Sequence, residues 1–173
     1  QLTHLSPQLP PSSAFAVSGR RGRWRVWGHT EPVTTRTQDI ARMILGAFVA
    51  FAGVSHLFWA RESFLAQVPG WVPIDADLVV ILSGFVEIGL GVSLLTVAKY
   101  RTELGWVAAA FFVAVFPGNI SQFIDGDAAF GLDSDLARGI RLLFQPVLVA
   151  WALWSTGAWA SWRAHRSGAA ATA

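Results

Sequence analysis

The chain has 173 residues, of which 53% are hydrophobic and only 14% are charged, and its formal net charge is +2. Soluble domains carry about a quarter charged residues, so this composition favours a membrane protein. The sequence contains no cysteine, which excludes disulfides, thiolate metal sites and iron–sulfur clusters. The small net charge, carried by basic residues beside apolar stretches, argues against nucleic acid as a partner.

The first part of the chain is polar and basic. Residues 1–38 are rich in Pro, Ser, Thr, Gln and Arg and have no apolar periodicity, which predicts a flexible, disordered juxtamembrane tail. Within it, the stretch RRGRWRVW at 20–27 sets basic residues beside two tryptophans. We expect these side chains to lie on anionic lipid headgroups, with docking of a protein partner as the alternative. They are Arg20, Arg21, Arg23 and Arg25.

Four apolar stretches follow, each long enough to cross a hydrocarbon core of about 30 Å. They cover residues 40–60, 78–98, 104–124 and 142–162. Buried helices of a soluble protein would need polar outer faces, which these stretches lack. The sequence therefore predicts an all-α fold, a four-helix transmembrane bundle formed by a membrane domain at 39–163. Residues 164–173 are expected to form a flexible C-terminal tail.

The distribution of Lys and Arg predicts the orientation. With the N-terminus in the cytoplasm, the tail, the loop at 99–103 and the C-terminus together hold ten Lys and Arg, against three on the other side. Basic residues concentrate on the cytoplasmic side of membrane proteins. We therefore expect both termini to be cytoplasmic, in a multi-pass protein of the plasma membrane of a prokaryote.

The connections between the stretches differ in length. The inner connection at 99–103 is tight, so the second and third helices are expected to form an antiparallel hairpin. The first outer connection, at 61–77, is longer and carries apolar residues between prolines, which favours a short helix and a turn at the membrane interface. In the second outer connection, Asp133, Ser134 or Asp135 can cap the fourth helix.

A few polar side chains interrupt the apolar stretches. Ionisable groups are costly in a bilayer, so each is a functional candidate. Apart from Glu87, which lies near the middle of its helix, these residues are expected near the outer side of the membrane. We consider them the candidate substrate-binding or quinone-binding residues: His56, Glu87, Asn119, Gln122, Arg141 and Gln145.

Small residues predict which way two of these groups face. Gly53 lies on one face with His56, and Gly84 and Gly91 lie on one face with Glu87. Small residues allow helices to approach closely in lipid, so both polar groups should face the interior of the bundle. Prolines within the third and fourth helices each leave a carbonyl one turn earlier without its donor. They are Pro117 and Pro146.

Several kinds of site can be discounted. A haem held by two histidines would need a second histidine within the membrane, and His56 is alone there. His56 and Glu87 together offer only two strong ligands, so no metal site is expected. In the alternative, structural interpretation, the polar groups simply bond one another and fix the packing of the helices.

The order and spacing of five motifs resemble the DoxX-like family of small membrane proteins. The motifs are GVSHLF at 53–58, VPGWVP at 68–73, SGFVEIGLGVSLL at 83–95, VFPGNI at 115–120 and RLLFQPVLVAW at 141–151. The resemblance implies a four-helix membrane bundle with one polar residue of interest on each helix. On this chain these would be His56, Glu87, Asn119 and Gln145. It also implies a link to membrane-associated oxidoreductases, since the family is named after a subunit of a thiosulfate:quinone oxidoreductase.

Three functions are compatible with the sequence. The first is an accessory subunit of a membrane redox system, with a polar pocket in the outer half of the bundle for a quinone or similar amphiphile. The second is a structural or assembly subunit of a larger membrane complex, without chemistry of its own. The third is a small transporter or proton path through Glu87. Whether the protein is an enzyme, and which cofactor it uses beyond a possible quinone, is left open by the sequence.

The orientation can be tested by labelling, because the chain has no native cysteine. A cysteine introduced within 125–135 should react with a membrane-impermeant thiol reagent in intact cells, whereas one introduced within 99–103 should react only after permeabilisation. The reverse pattern would contradict the orientation.

Overall fold

The computed structural model describes residues 34–126 and 134–170, and within them the chain forms six α-helices and one short 3₁₀ turn, without a β-strand. The expected arginine cluster at 20–27 lies outside the described residues. The helices are α1 (Arg36–Phe58), α2 (Arg61–Leu65), α3 (Ala76–Thr96), α4 (Arg101–Asp125), α5 (Asp135–Ser155) and α6 (Ala158–Ala170), with the 3₁₀ turn at Ala98–Tyr100.

Four of these helices are long and apolar enough to cross a membrane: α1, α3, α4 and α5. Each has at least 21 residues, and about 20 are needed to span the hydrocarbon core. The all-α fold with four candidate membrane spans is therefore confirmed. The expected short helix in the first long connection is also present, as α2.

Side-chain caps explain where three of the long helices begin. The Thr35 hydroxyl accepts from the backbone N–H of Gln38, whose side chain bonds back to the Thr35 N–H in a capping box. Asp75 caps α3 through the N–H of Leu78. Ser134 caps α5, as one of the three candidates predicted for that position.

The fourth expected span, 142–162, was wrong in its limits, because these residues are divided between α5 and α6. The break is at Gly157, which has a φ of 75°, a left-handed conformation that favours glycine. Just before it, the Thr156 hydroxyl donates to the carbonyl of Ala152 at 2.7 Å. Residues 164–170 continue α6 rather than forming the start of a tail, and α1 begins at Arg36, within the expected N-terminal tail.

The long helices form two closely packed pairs, α1 with α3 and α4 with α5. Helices α3 and α4 follow one another through the short connection at 97–100, but α3 packs chiefly against α1. Glycine makes this contact possible. A Cβ added to Gly53 would lie 2.6 Å from the Gly84 carbonyl oxygen, and one added to Gly91 would overlap the backbone of Ala50. The two backbones therefore touch directly.

We call the end of the bundle where α1 ends and α3 begins the α2 end, and the opposite end the terminal end. The apolar core lies in the half next to the terminal end. All four long helices contribute to it: Leu45, Val49, Leu90, Leu94, Ala108, Phe112, Leu148 and Ala152. Packing is therefore tight at the terminal end, and the space between the two helix pairs lies toward the α2 end.

Polar contacts fasten the terminal end. The buried guanidinium of Arg42 donates to the carbonyl of Leu94, near the last turn of α3. Cations near the C-terminus of a helix are stabilised by its exposed carbonyls. Asp39 of α1 pairs with Arg101 of α4 at 3.2 Å. These contacts connect α1 to both helices that meet at the short connection.

The close contact of α1 and α3 can be tested with two glycines of α3. Gly91→Ala should destabilise the protein by about 1–3 kcal/mol, because its methyl group would overlap Ala50 of α1. Gly89→Ala is the matched control: nothing lies within 4 Å of its added Cβ, so it should be neutral or stabilise by up to about 1 kcal/mol. Thermal unfolding in detergent would measure both, and equal effects would contradict the packing.

Candidate functional site: a polar cavity between the helix pairs

A cavity of about 770 Å³ lies between the two helix pairs in the half of the bundle next to the α2 end. All four long helices line it, and most of its lining residues are apolar. Core residues Val49, Phe112 and Leu148 form its floor, and residues of the connection at 59–75 cover it at the α2 end. Ligand pockets are commonly about 300–1,000 Å³ in volume.

One wall of the cavity carries His56 of α1 and Glu87 of α3. Their Nε2 and Oε2 atoms are 3.3 Å apart, and both side chains are largely buried. The other ring nitrogen, Nδ1, lies 3.3 Å from the carbonyl oxygen of Val80 and 3.1 Å from the hydroxyl of Ser83.

The two ring nitrogens of His56 differ in their partners. Nδ1 can donate to the carbonyl oxygen of Val80, or it can accept from the hydroxyl of Ser83. Nε2 of His56 and Oε2 of Glu87 are buried and 3.3 Å apart, and neither has a hydrogen-bond partner among the described residues. Both atoms can therefore bond a group that enters the cavity.

The short helix α2 covers this pair. The Phe64 ring stacks on the His56 ring, with the two centroids 3.4 Å apart. At the start of α2, Arg61 forms two hydrogen bonds with Asp77 in the first turn of α3. Its Nε donates to Oδ1 at 2.5 Å, and its Nη2 donates to Oδ2. Hydrogen bonding to Asp77 raises the pKa of the Arg61 guanidinium above its usual value. The connection is thus attached to both helices of the first pair.

The same connection also rests on α4. A Cβ added to Gly118 would overlap the carbonyl oxygen of Gln67, so the backbone at Gln67 lies directly against α4. The Gln67 amide nitrogen is buried at the cavity and has no hydrogen-bond partner among the described residues. The connection therefore spans the cavity from one helix pair to the other and adds a donor to it.

The opposite wall carries a chain of hydrogen bonds between α5 and α4. Arg141 Nε donates to Asn119 Oδ1 at 3.3 Å, and Asn119 Nδ2 donates to Gln145 Oε1 at 3.0 Å. Gln145 Nε2 donates in turn to the carbonyl oxygen of Phe112 at 2.5 Å. Pro117 leaves the carbonyl of Val113 without its helical donor, and the Phe112 carbonyl comes directly before it in the sequence. The two carboxamides therefore bond protein groups and hold Arg141 at the cavity.

The structure brings five of the six candidate residues to this one cavity: His56, Glu87, Asn119, Arg141 and Gln145. Gln122 is only 1% exposed and shares the inward face of α4 with Asn119, but it does not line the cavity. Among the described residues, no three His, Cys, Asp or Glu side chains come together as a metal site would require.

Sequence reasoning missed three residues of the site. Ser83 could have been found, because it lies one turn before Glu87 and so on the same face of α3. Phe64 and Gln67 gave no such signal. They belong to the connection, whose position depends on contacts with His56 and Gly118 that are distant in sequence.

A family model described as Domain of unknown function (DUF8561) matches residues 45–156, which is more than half of the chain. The chain belongs to this family. The resemblance to the DoxX-like family was therefore wrong, since the matching family is a different one and no DoxX family matches. No curated protein and no solved structure matches the chain.

The DUF8561 region contains the whole cavity and all six candidate residues, and it ends at Thr156, just before the break at Gly157. Helix α6 and the first turns of α1 lie outside it. The cavity is thus part of the family domain itself, whereas α6 lies outside the matched region.

The hydrogen-bond chain can be tested at Gln145. Gln145→Leu keeps the approximate size but leaves the Phe112 carbonyl and the Asn119 amide without their partner, so it should destabilise the protein by about 1–3 kcal/mol. Leu143→Ala, at an exposed position of the same helix, is the control and should cost less than about 1 kcal/mol. Equal losses in thermal unfolding would contradict the role of Gln145.

Proposed function

We propose that this membrane protein binds an amphiphilic small molecule with a quinone-like, carbonyl-bearing head group in the cavity between its helix pairs. The observation that carries the proposal is the cavity of about 770 Å³, whose walls are mostly apolar and which has polar groups on two opposite sides. Ligand sites typically combine an apolar lining with a few placed polar groups.

The polar groups suit a head group with oxygen atoms at two positions. On one side, Arg141 supplies a cation that donates to a carbonyl oxygen, and charge-assisted hydrogen bonds of this kind are stronger than neutral ones. On the other side, His56 Nε2 and Glu87 Oε2 have no hydrogen-bond partner among the described residues, so this pair can donate to an oxygen atom or accept from a hydroxyl of the ligand. A quinone accepts at both positions, and its reduced form also donates.

A purely structural role is less well supported. If the polar side chains served only to fix the packing, a cluster without a void would suffice. Here the Arg141–Asn119–Gln145 chain is internally bonded, yet it faces a space large enough for a ligand. The void is the feature that packing alone does not require.

A proton path through Glu87 has one observation in its favour, the two titratable side chains of Glu87 and His56 lying 3.3 Å apart. Such a path would have to continue to the terminal end. On that side the cavity floor is the apolar core, in which residues such as Leu45, Leu94 and Ala152 are fully buried. This arrangement favours a binding site closed at the terminal end over a path across the bundle.

The cellular membrane and the orientation of the protein in it are also proposed. We place it in the plasma membrane of a prokaryote, with both termini cytoplasmic and the cavity in the outer half of the bundle, from the distribution of Lys and Arg. A role beside a membrane oxidoreductase would follow from a quinone-like ligand, and further protein subunits would then be its partners.

Binding can be tested with a radiolabelled alkyl quinone and the purified protein in detergent. Ala52 lines the cavity, so Ala52→Phe should fill part of it and weaken binding by about tenfold, equivalent to about 1.4 kcal/mol. Ala47→Phe, on an exposed face of the same helix, is the matched control and should bind like the unmodified protein. Equal affinity in all three proteins, or no binding by any, would refute the proposal.

The polar side of the site can be tested at Arg141. Arg141→Gln removes the cation and should weaken binding of the alkyl quinone by about tenfold or more, since a hydrogen bond to a charged group contributes about 1.5–3 kcal/mol. Arg163→Gln in α6, away from the cavity, should leave the affinity unchanged. If both substitutions left binding unchanged, Arg141 would not contact the head group.

A further inference from the structure

We infer that the ligand enters the cavity from within the bilayer, through an opening between α1 and α5, and that it carries one long apolar chain that lies in this opening and along the surface groove beyond it. This inference rests on the proposed function, because it concerns the route and the tail of the molecule bound in the cavity.

The two helices meet at the terminal end. There, Trp151 Nε1 donates to the carbonyl oxygen of Ala41 at 3.1 Å, and the Gln38 side chain donates to the carbonyl oxygen of Trp154 at 2.8 Å. Toward the α2 end the same two helices form opposite walls of the cavity. Helices α1 and α5 are therefore joined at one end and separated by the cavity at the other.

Side chains at this seam line the cavity and are exposed on the outside of the bundle at the same time. Phe51 of α1 is 62% exposed and Phe144 of α5 is 50% exposed, although both line the cavity. The cavity therefore opens sideways at this seam, at a level where a membrane protein faces hydrocarbon.

A second, apolar groove continues the opening along the same seam toward the terminal end. On α1, Ile44 lines the groove and Phe48, one turn later, lines the cavity. On α5, Val147 lines the groove and Phe144, one turn earlier, lines the cavity. The two spaces thus adjoin on both helices and form one apolar track.

The length and lining of the track indicate the kind of chain that it takes. From His56 at the polar end to Ile40 in the groove, α1 rises by about 24 Å. The groove is lined almost entirely by apolar residues of the two helices, which suits an alkyl or isoprenoid chain. The ligand class is therefore a head group with hydrogen-bonding oxygen atoms on one long hydrocarbon chain.

Two other exits compete with this seam. At the α2 end, Trp59 and Trp71 of the connection line the cavity and are also exposed. At the opposite seam, between α3 and α4, the exposed lining residues are Ala114 and Pro117 of α4. The two seams lie on different sides of the bundle, so the position of the chain decides between them.

Photolabelling would locate the chain. An alkyl quinone with a photoreactive diazirine at the end of its chain would be bound to the protein in liposomes, irradiated and mapped by mass spectrometry. Labels should fall on α1 and α5 within 40–51 and 144–154. Labels around Ala114 and Pro117, or within 59–75, would overturn the inference while leaving the binding site in place. Absence of specific binding would instead refute the proposed function.

A pair of substitutions tests the groove separately. Ala150→Trp fills the groove outside the cavity and should weaken binding of a long-chain quinone by about tenfold, the equivalent of about two buried methylene groups. It should leave binding of a short-chain quinone unchanged, which also shows that the site is folded. Ala110→Trp, at an exposed position of α4, is the control and should affect neither. Equal binding of the long-chain quinone to all variants would exclude the groove as the place of the chain.

Discussion

The contact between α1 and α3 at Gly53 and Gly84 is the constraint on which the site depends. Without side chains at these positions, the helix backbones touch, and Gly84 also leaves room for the His56 side chain beside it. His56 can then reach Glu87 across the pair. In a bilayer, where lipid is as apolar as leucine, such close packing is a main source of helix association.

The second helix pair is held together by side-chain hydrogen bonds rather than by direct backbone contact, and the cavity lies between the two pairs. Helices α4 and α5 are joined at the cavity by a chain of side-chain hydrogen bonds ending on the Phe112 carbonyl. The two pairs share an apolar core at the terminal end, where Leu45, Leu94, Phe112 and Ala152 meet. The connection at 59–75 holds the α2 end at a distance by resting on His56 on one side and on Gly118 on the other.

The sequence predicted the four long helices well, because hydropathy and length decide which segments cross a bilayer. It also predicted that polar groups from all four helices would meet, because charged and amide groups are costly against lipid and turn inward. The end of α5 was not predictable in the same way. Residues around the break at Gly157 remain apolar and rich in tryptophan, so hydropathy continues through a point where the backbone conformation changes.

The roles of the polar residues were harder to predict than their positions. Asn119 and Gln145 were candidates both for binding a ligand and for bonds that fix the packing, and in the structure both carboxamides bond protein groups. Pro117 does not account for this bond, because it leaves the carbonyl of Val113 without its helical donor, whereas Gln145 donates to the carbonyl of Phe112. Sequence reasoning identified the proline and the glutamine but not the pairing, because it depends on how α4 and α5 are turned toward each other.

The mistaken resemblance to the DoxX-like family has a physical explanation of the same kind. Its motifs consisted of glycines next to polar residues and of a proline before an amide, such as Gly53 with His56 and Pro117 with Asn119. A small helical bundle in lipid that surrounds a polar space needs small residues where backbones touch, and hydrogen-bond partners for the polar groups that face inward. Such motifs therefore identify the architecture and the position of the space. They do not identify the reaction, which depends on what enters from the bilayer and meets Arg141 and the His56–Glu87 pair.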